Sequence, residues 1–164
     1  IDRGEMFVRS FINADTVNAF GGSKEALYRS EEVFGGTNNI FELPDRQRSD
    51  NAIKNNYYVN LRTFEVDADK EGKKQLIVVK NLSSSGRYFK NMTLFTSAEI
   101  YNLEWDGMGF VENWRTRKIN GYVTDYQIKD IDNDGEKELV LALVMSSSGF
   151  LQKEGVIVSY KLNQ

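Results

Sequence analysis

The sequence predicts an all-β chain, an incomplete β-propeller forming an open arc of about 2.5 four-stranded antiparallel blades, and three observations predict it. Glycines punctuate the whole chain, from Gly21-Gly22 and Gly35-Gly36 to Gly149 and Gly155, while Pro44 is the single proline. Between them lie short runs rich in Tyr, Phe, Val, Ile, Leu and Thr, the composition of strands bounded by turns. Helical periodicity is almost absent, and its best stretch, 23–30, reads equally well as a strand. The third observation is an internal repeat. With a shift of 63 residues, Asp67 falls on Asp130, Asp69 on Asp132, Gly72 on Gly135, Lys74 on Lys137 and Leu76 on Leu139. Ser83-Ser84-Ser85-Gly86 then falls on Ser146-Ser147-Ser148-Gly149, making nine identities in twenty ungapped pairs. Upstream, Glu65 meets Ile128, so the in–out alternation disagrees there, and a bulge or shifted strand in one copy is expected.

The elements follow in order. Residues 1–50 read as the later part of an earlier blade, with strands at 6–12, 16–20 and 26–33, followed by a long loop over 35–56 whose polar stretch 51–56 reads as mobile. Residues 57–119 form the middle blade: strands at 57–66, 75–81, 98–105 and 110–119, with a tight turn at Asp106-Gly107. Residues 120–164 begin a final blade, with strands at 122–129, 139–145 and 156–162, and end one strand short. All belong to one domain, 1–164. A propeller closes with roughly four or more blades, so the outer strands of this arc expose unpaired N–H and C=O groups. The partners expected are the missing blades of a parent protein, or a second copy joined through edge strands. Ile1 in place of a methionine reads as a piece of a longer protein, with any signal peptide or anchor upstream.

Composition excludes whole classes of chemistry. There is no histidine and no cysteine, so a Ser-His-Asp triad, a thiolate nucleophile, a histidine base and a Cys/His zinc site cannot be built from this chain. A net charge of -3 from 21 basic and 24 acidic residues supplies no concentrated positive surface for nucleic acid. The longest apolar run, 139–145, has seven residues and does not span a membrane.

The most informative stretch is Asp130-Ile131-Asp132-Asn133-Asp134-Gly135-Glu136-Lys137-Glu138. Carboxylates at alternate positions of a tight loop converge and repel unless a hard cation neutralises them, and calcium, which accepts six to eight oxygens, fits best. Side-chain ligation is assigned to Asp130, Asp132 and Asp134, a backbone carbonyl to Glu136 and the closing carboxylate to Glu138. Gly135 permits the sharp turn. An EF-hand would need a glutamate at its twelfth position, where this chain has Leu141 inside an apolar strand. The alternative is an acidic turn that binds nothing. In the earlier copy Asp67 and Asp69 persist, but Gln75 replaces the closing acid and Lys70, Lys73 and Lys74 oppose a cation, so this loop is read as an unoccupied, decayed copy.

The acidic loop followed by an apolar strand, set in tandem four-stranded repeats, resembles the FG-GAP or VCBS repeats of integrin-α-like β-propellers, best over residues 57–162. The resemblance implies calcium ligation by Asp130, Asp132, Asp134 and Glu138, with the ion bracing a loop rather than doing chemistry. For bacterial members it implies a periplasmic, outer-membrane-attached or secreted location. Phe34-Gly35-Gly36 is the nearest echo of the motif that names one branch, and Thr37 and Asn38 then depart from it.

Other candidates are weighed beside this site. Trp105 and Trp114, flanking the Asp106-Gly107 turn, are candidates for a sugar-stacking platform or for packing between blades. Arg115, Arg117 and Lys118 form a basic cluster, read as a solvated outer face or as a contact for an anionic glycan. Asn81-Leu82-Ser83 and Asn91-Met92-Thr93 fit the glycosylation pattern. The two Ser-Ser-Ser-Gly stretches read as hairpin connections. Catalysis by paired carboxylates stays open in principle, though no pair is singled out. The expectation is a non-catalytic, calcium-stabilised, extracytoplasmic binding or scaffolding segment with a protein or glycan ligand. The alternatives are a carbohydrate-binding module, part of a carbohydrate-active enzyme, or a pure assembly part.

Overall fold

The computed structural model describes residues 5–8, 28–43, 55–67, 74–83, 94–147 and 152–162. Among them there is no helix, and every pairing between strands is antiparallel. Two hairpin pairs come first: β1 (Glu5–Val8) with β2 (Tyr28–Val33), and β3 (Ile40–Leu43) with β4 (Asn55–Tyr58). A first larger sheet contains β5 (Phe64–Asp67), β6 (Lys74–Ser83), β7 (Phe95–Trp105), β8 (Phe110–Arg115) and β9 (Ile119–Asn120). A second has the order β10 (Tyr122–Lys129), β11 (Glu138–Ser147), β12 (Gln152–Lys161). Neither larger sheet closes on itself.

The repeat seen in the sequence is a repeat of hairpin register. In the first sheet Phe64, Glu65 and Val66 oppose Ile77, Leu76 and Gln75. In the second, Gln127, Ile128 and Lys129 oppose Val140, Leu139 and Glu138, the same pairs moved by the same shift. The connection to the third strand is shorter in the second copy, 148–151 against 84–94.

One core joins the two sheets. Ile77, Val79, Ala98 and Ile100 of the first pack with Val123, Tyr126, Leu139, Leu141 and Leu143 of the second, each at most 4% exposed. Under the repeat, Leu139 and Leu141 correspond to Leu76 and Val78, not to Ile77 and Val79. Leu76 and Val78 lie on the other face of β6, where they pack with Phe34, Tyr101, Leu103 and Phe110. One sheet therefore uses its back where the other uses its front, a head-to-tail stacking of equivalent units. The stacking also explains the parity break at Glu65 and Ile128. The apolar residues of β5, Phe64 and Val66, point toward the second sheet, whereas Ile128 of β10 points toward the first. No bulge interrupts this stretch of either hairpin; the register shift in β10 lies further upstream, between Val123 and Asp125.

Polar side chains lock the two sheets together. Asn81, 7% exposed, donates from Nδ2 to Val123 O (2.9 Å) and Gly36 O (2.8 Å), and its Oδ1 accepts from Val123 N (3.0 Å). The buried Tyr126 hydroxyl donates to Ile77 O at 2.8 Å. Arg62 grips Asp125 in a two-pronged ion pair, with Nε–Oδ1 3.0 Å and Nη2–Oδ2 2.6 Å. Tyr122 accepts from Asn38 N at 2.7 Å. Gly36, at φ +84, lies so close to Phe95 that a Cβ there would come within 2.9 Å of the ring.

Several expected boundaries change. The stretch 57–66 is not one strand: β4 ends at Tyr58 and β5 starts at Phe64, in different sheets. Between them Arg62 turns away to reach Asp125 and the Tyr126 carbonyl. The loop expected over 35–56 contains β3, and Asn55 and Asn56 are paired in β4. Strand 110–119 breaks after Arg115: Thr116 donates its N–H to Ile100 O (2.9 Å) but answers Ile100 N with its hydroxyl (3.0 Å) in place of its carbonyl, and regular pairing with β7 resumes at β9. The strand expected at 16–20 and the Gly ends of both Ser-Ser-Ser-Gly stretches fall outside the described residues.

Candidate metal centre

The loop between β10 and β11 is wound by its own side chains. Asp130 Oδ2 accepts from Gly135 N (3.0 Å), Asp132 Oδ1 from Asp134 N (3.2 Å), and Asp134 Oδ1 from Glu136 N (2.9 Å). Asn133 (φ 61) and Gly135 (φ 92) take left-handed conformations that close the bend. The register of the flanking hairpin then places Glu138, the first residue of β11, beneath the loop, where its Oε2 accepts from Ile131 N at 3.0 Å.

This winding brings one carboxylate oxygen each from Asp130, Asp132 and Glu138 within 4.8 Å of one another. Glu138 is only 3% exposed. Its Oε1 and Asp130 Oδ1 are buried and receive no hydrogen bond. A buried carboxylate oxygen without a donor costs the desolvation of that atom. Two such atoms on residues of one carboxylate cluster fit a hard cation, which supplies the missing positive charge.

The carboxylates of Asp134 and of Glu136, the latter assigned from the sequence only through its backbone carbonyl, lie outside this cluster. Asp134 Oδ2 meets Lys161 Nζ at 2.6 Å, and that hydrogen-bonded ion pair, first, holds the Asp134 carboxyl below its usual range and raises the Lys161 ammonium above its own. Glu136 is exposed, with its carboxylate 3.9 Å from the same ammonium. Lys161 had no signal in the sequence. It reaches the loop only because β12 pairs with β11, Glu138 opposite Lys161. Most of the corresponding loop in the first copy, 68–73, lies outside the described residues.

The remaining candidates separate. Trp105 packs edge-on against Phe110 (5.2 Å between centroids), while Trp114 pairs with Asn102. Counting the pairs across β7 and β8, the two indoles fall on opposite faces and form no common platform. Arg115 donates to the Tyr101 hydroxyl (3.2 Å) and lies 3.5 Å from Glu112. Arg117 and Lys118 lie beyond the end of β8, so Arg115 and Arg117 do not share a strand face. Arg117 and Lys118 line a groove of about 420 Å³ together with Ile119, Leu143, Met145, Val158 and Tyr160. Asn81 is buried with its amide fully engaged, which closes it to glycosylation in the folded chain. Asn91 lies outside the described residues. No family model, no curated protein and no solved structure matches this chain.

Proposed function

We propose that this chain is a non-catalytic segment of an incomplete β-propeller, in which the loop between β10 and β11 holds one calcium ion as a structural brace and the sheets present a binding or scaffolding surface. The observation that carries the reading is the pair of orphaned, buried oxygens, Asp130 Oδ1 and Glu138 Oε1, on two residues whose carboxylates gather with that of Asp132. The residues fit a hard divalent cation, since the donors are all oxygen. With Asp134 committed to Lys161, three carboxylates give a site of modest charge. Such sites suit surroundings with about 10⁻⁴ to 10⁻³ M calcium, which supports a periplasmic, cell-surface or secreted location. Head-to-tail stacking supports the open arc. The face of the second sheet that corresponds to the covered Ile77–Val79 face carries Val140, Ala142 and Ile157, and Ile157 is 68% exposed. Missing blades or another copy are the occupants this face suits.

The test is thermal unfolding in calcium and in chelator. Calcium at about a hundred times its Kd adds about 2.7 kcal/mol by mass action, and Asp132→Ala removes that increment. An unchanged midpoint in the wild type excludes the brace.

A further inference from the structure

The outer part of the first sheet carries a second chemistry, on strands separate from the acidic loop. Gln75 pairs with Glu104, Glu104 with Val111, and Asn102 with Trp114. Directly opposed residues of antiparallel strands share a face, so all five lie on one side of β6, β7 and β8. In regular alternation Asn113 would point to the other side. The register shift between Asn102 and Leu103 suspends that alternation, as a bulge does when it re-aims a side chain. Asn113 Nδ2 donates to Asn102 Oδ1 at 3.1 Å and to Glu104 Oε2 at 3.2 Å. Asn113 and Trp114, consecutive in the chain, thus serve the same face.

The polar groups form a fixed ladder. Asn102 Nδ2 donates to Gln75 Oε1 at 2.7 Å, and Gln75 Nε2 reaches Glu104 Oε2 at 3.5 Å. Asn102 is buried at 3% exposure and anchors the ladder from below, while Asn113 is exposed at its outer end. Beside it the Trp114 side chain is 38% exposed, and its ring has no aromatic or cationic partner among the described residues. The partly exposed indole stands at the edge of a row of oriented amides and one carboxylate.

A partly exposed aromatic ring beside planar hydrogen-bonding groups is complementary to a sugar ring. The C–H face of a pyranose is apolar and lies flat on an indole, and its equatorial hydroxyls each offer a donor and an acceptor. Asn113 Oδ1 accepts no hydrogen bond among the described residues, and the second N–H of Gln75 donates none. Because the ladder is already ordered, little side-chain entropy is lost on binding. The carboxylate of Glu104 selects against an anionic sugar. We infer that Trp114, with Asn113, Glu104 and Gln75, forms a platform for a neutral pyranose unit of a glycan.

The experiment titrates the whole chain with soluble cellohexaose, mannohexaose, xylohexaose and maltohexaose, read by tryptophan fluorescence and calorimetry. Saturable one-to-one binding of at least one of them is expected, weakened about tenfold or more by Trp114→Ala, largely restored by Trp114→Phe, and weakened less by Asn113→Ala. Circular dichroism melts confirm that each variant is folded. Because the platform does not include the acidic loop, the titration repeated in chelator gives the same affinity. No saturable binding up to about 10 mM, or binding indifferent to both Trp114→Ala and Asn113→Ala, overturns the assignment. Loss of binding in chelator with no effect of Trp114→Ala moves the site to the acidic loop and overturns it as well.

Discussion

Glu138 occupies a position where a carboxylate is costly without a cation. One of its oxygens is bonded to Ile131 N, and the other is buried with no donor, as is one oxygen of Asp130 in the same carboxylate cluster. Glu138→Gln keeps an acceptor for Ile131 and offers a new N–H to Asp130. In chelator this variant should be more stable than wild type by about 1 kcal/mol, while losing the calcium-dependent gain. A chemical denaturation series with and without calcium reads both effects, and a variant less stable than wild type in chelator would show that the oxygens are not orphaned. Asn81 makes the opposite case, a buried polar residue with every partner in place. Asn81→Ala strands the N–H and C=O of Val123 and the carbonyl of Gly36, and should cost about 3 kcal/mol in the same assay. A cost below about 0.5 kcal/mol, the range of ordinary surface substitutions, would contradict this. The acidic loop was legible in the sequence because its chemistry is local: alternating acids and a glycine fix their own geometry. The role of Asn81 was not, because its partners lie 42 and 45 residues away.

At the scale of elements, strands were legible where one run of side chains decides them. β10 and β11 fall within two residues of their expected ends, because a long β-rich run between turn signals leaves no other reading. The breaks at 59–63 and 116–118 were not legible. Each depends on a side chain: Arg62 reaches the second sheet, and the Thr116 hydroxyl takes the Ile100 N–H in place of a backbone carbonyl. The face each strand buries was hidden for a related reason. β6 is apolar on both sides, and only the stacking decides which side meets β10–β12. Tyr126 is the hinge pin of that contact, packed edge-on to Phe64 at 5.0 Å and bonded to Ile77 O. Burial raises its phenol well above the ordinary tyrosine range. The folded state therefore favours the neutral phenol. The resulting stability is present below the unfolded value of about 10 and is lost as pH rises beyond it. Tyr126→Phe should cost about 1 kcal/mol at neutral pH and flatten the loss of stability measured between about pH 10 and 12. A variant with the same alkaline slope as wild type would place that slope elsewhere.

At the scale of the whole molecule, the repeat, the all-β class and the tandem order were visible in the sequence, while the manner of stacking emerged only from side chains that two sheets share. That shared core makes a claim about cooperativity. Both tryptophans of the chain, Trp105 and Trp114, belong to the first sheet, and the candidate cation site belongs to the second. If Ile77, Val79 and Ile100 rely on Leu139, Leu141 and Leu143 for burial, the first sheet cannot outlast the second. Leu141, fully buried in β11, is the sharpest probe. Leu141→Ala leaves a cavity at the contact and should cost about 3 kcal/mol. The tryptophan-reported midpoint should fall with the far-ultraviolet dichroism, although the mutation lies in the sheet without tryptophan. Calcium bound between β10 and β11 should raise the same tryptophan midpoint, since a ligand that binds only the folded unit stabilises all of it. Two separated transitions, with tryptophan blind to both Leu141→Ala and calcium, would mean that the sheets fold independently. Coincident transitions would make the loop of one sheet a brace for its neighbour, which is what head-to-tail stacking of equivalent sheets demands.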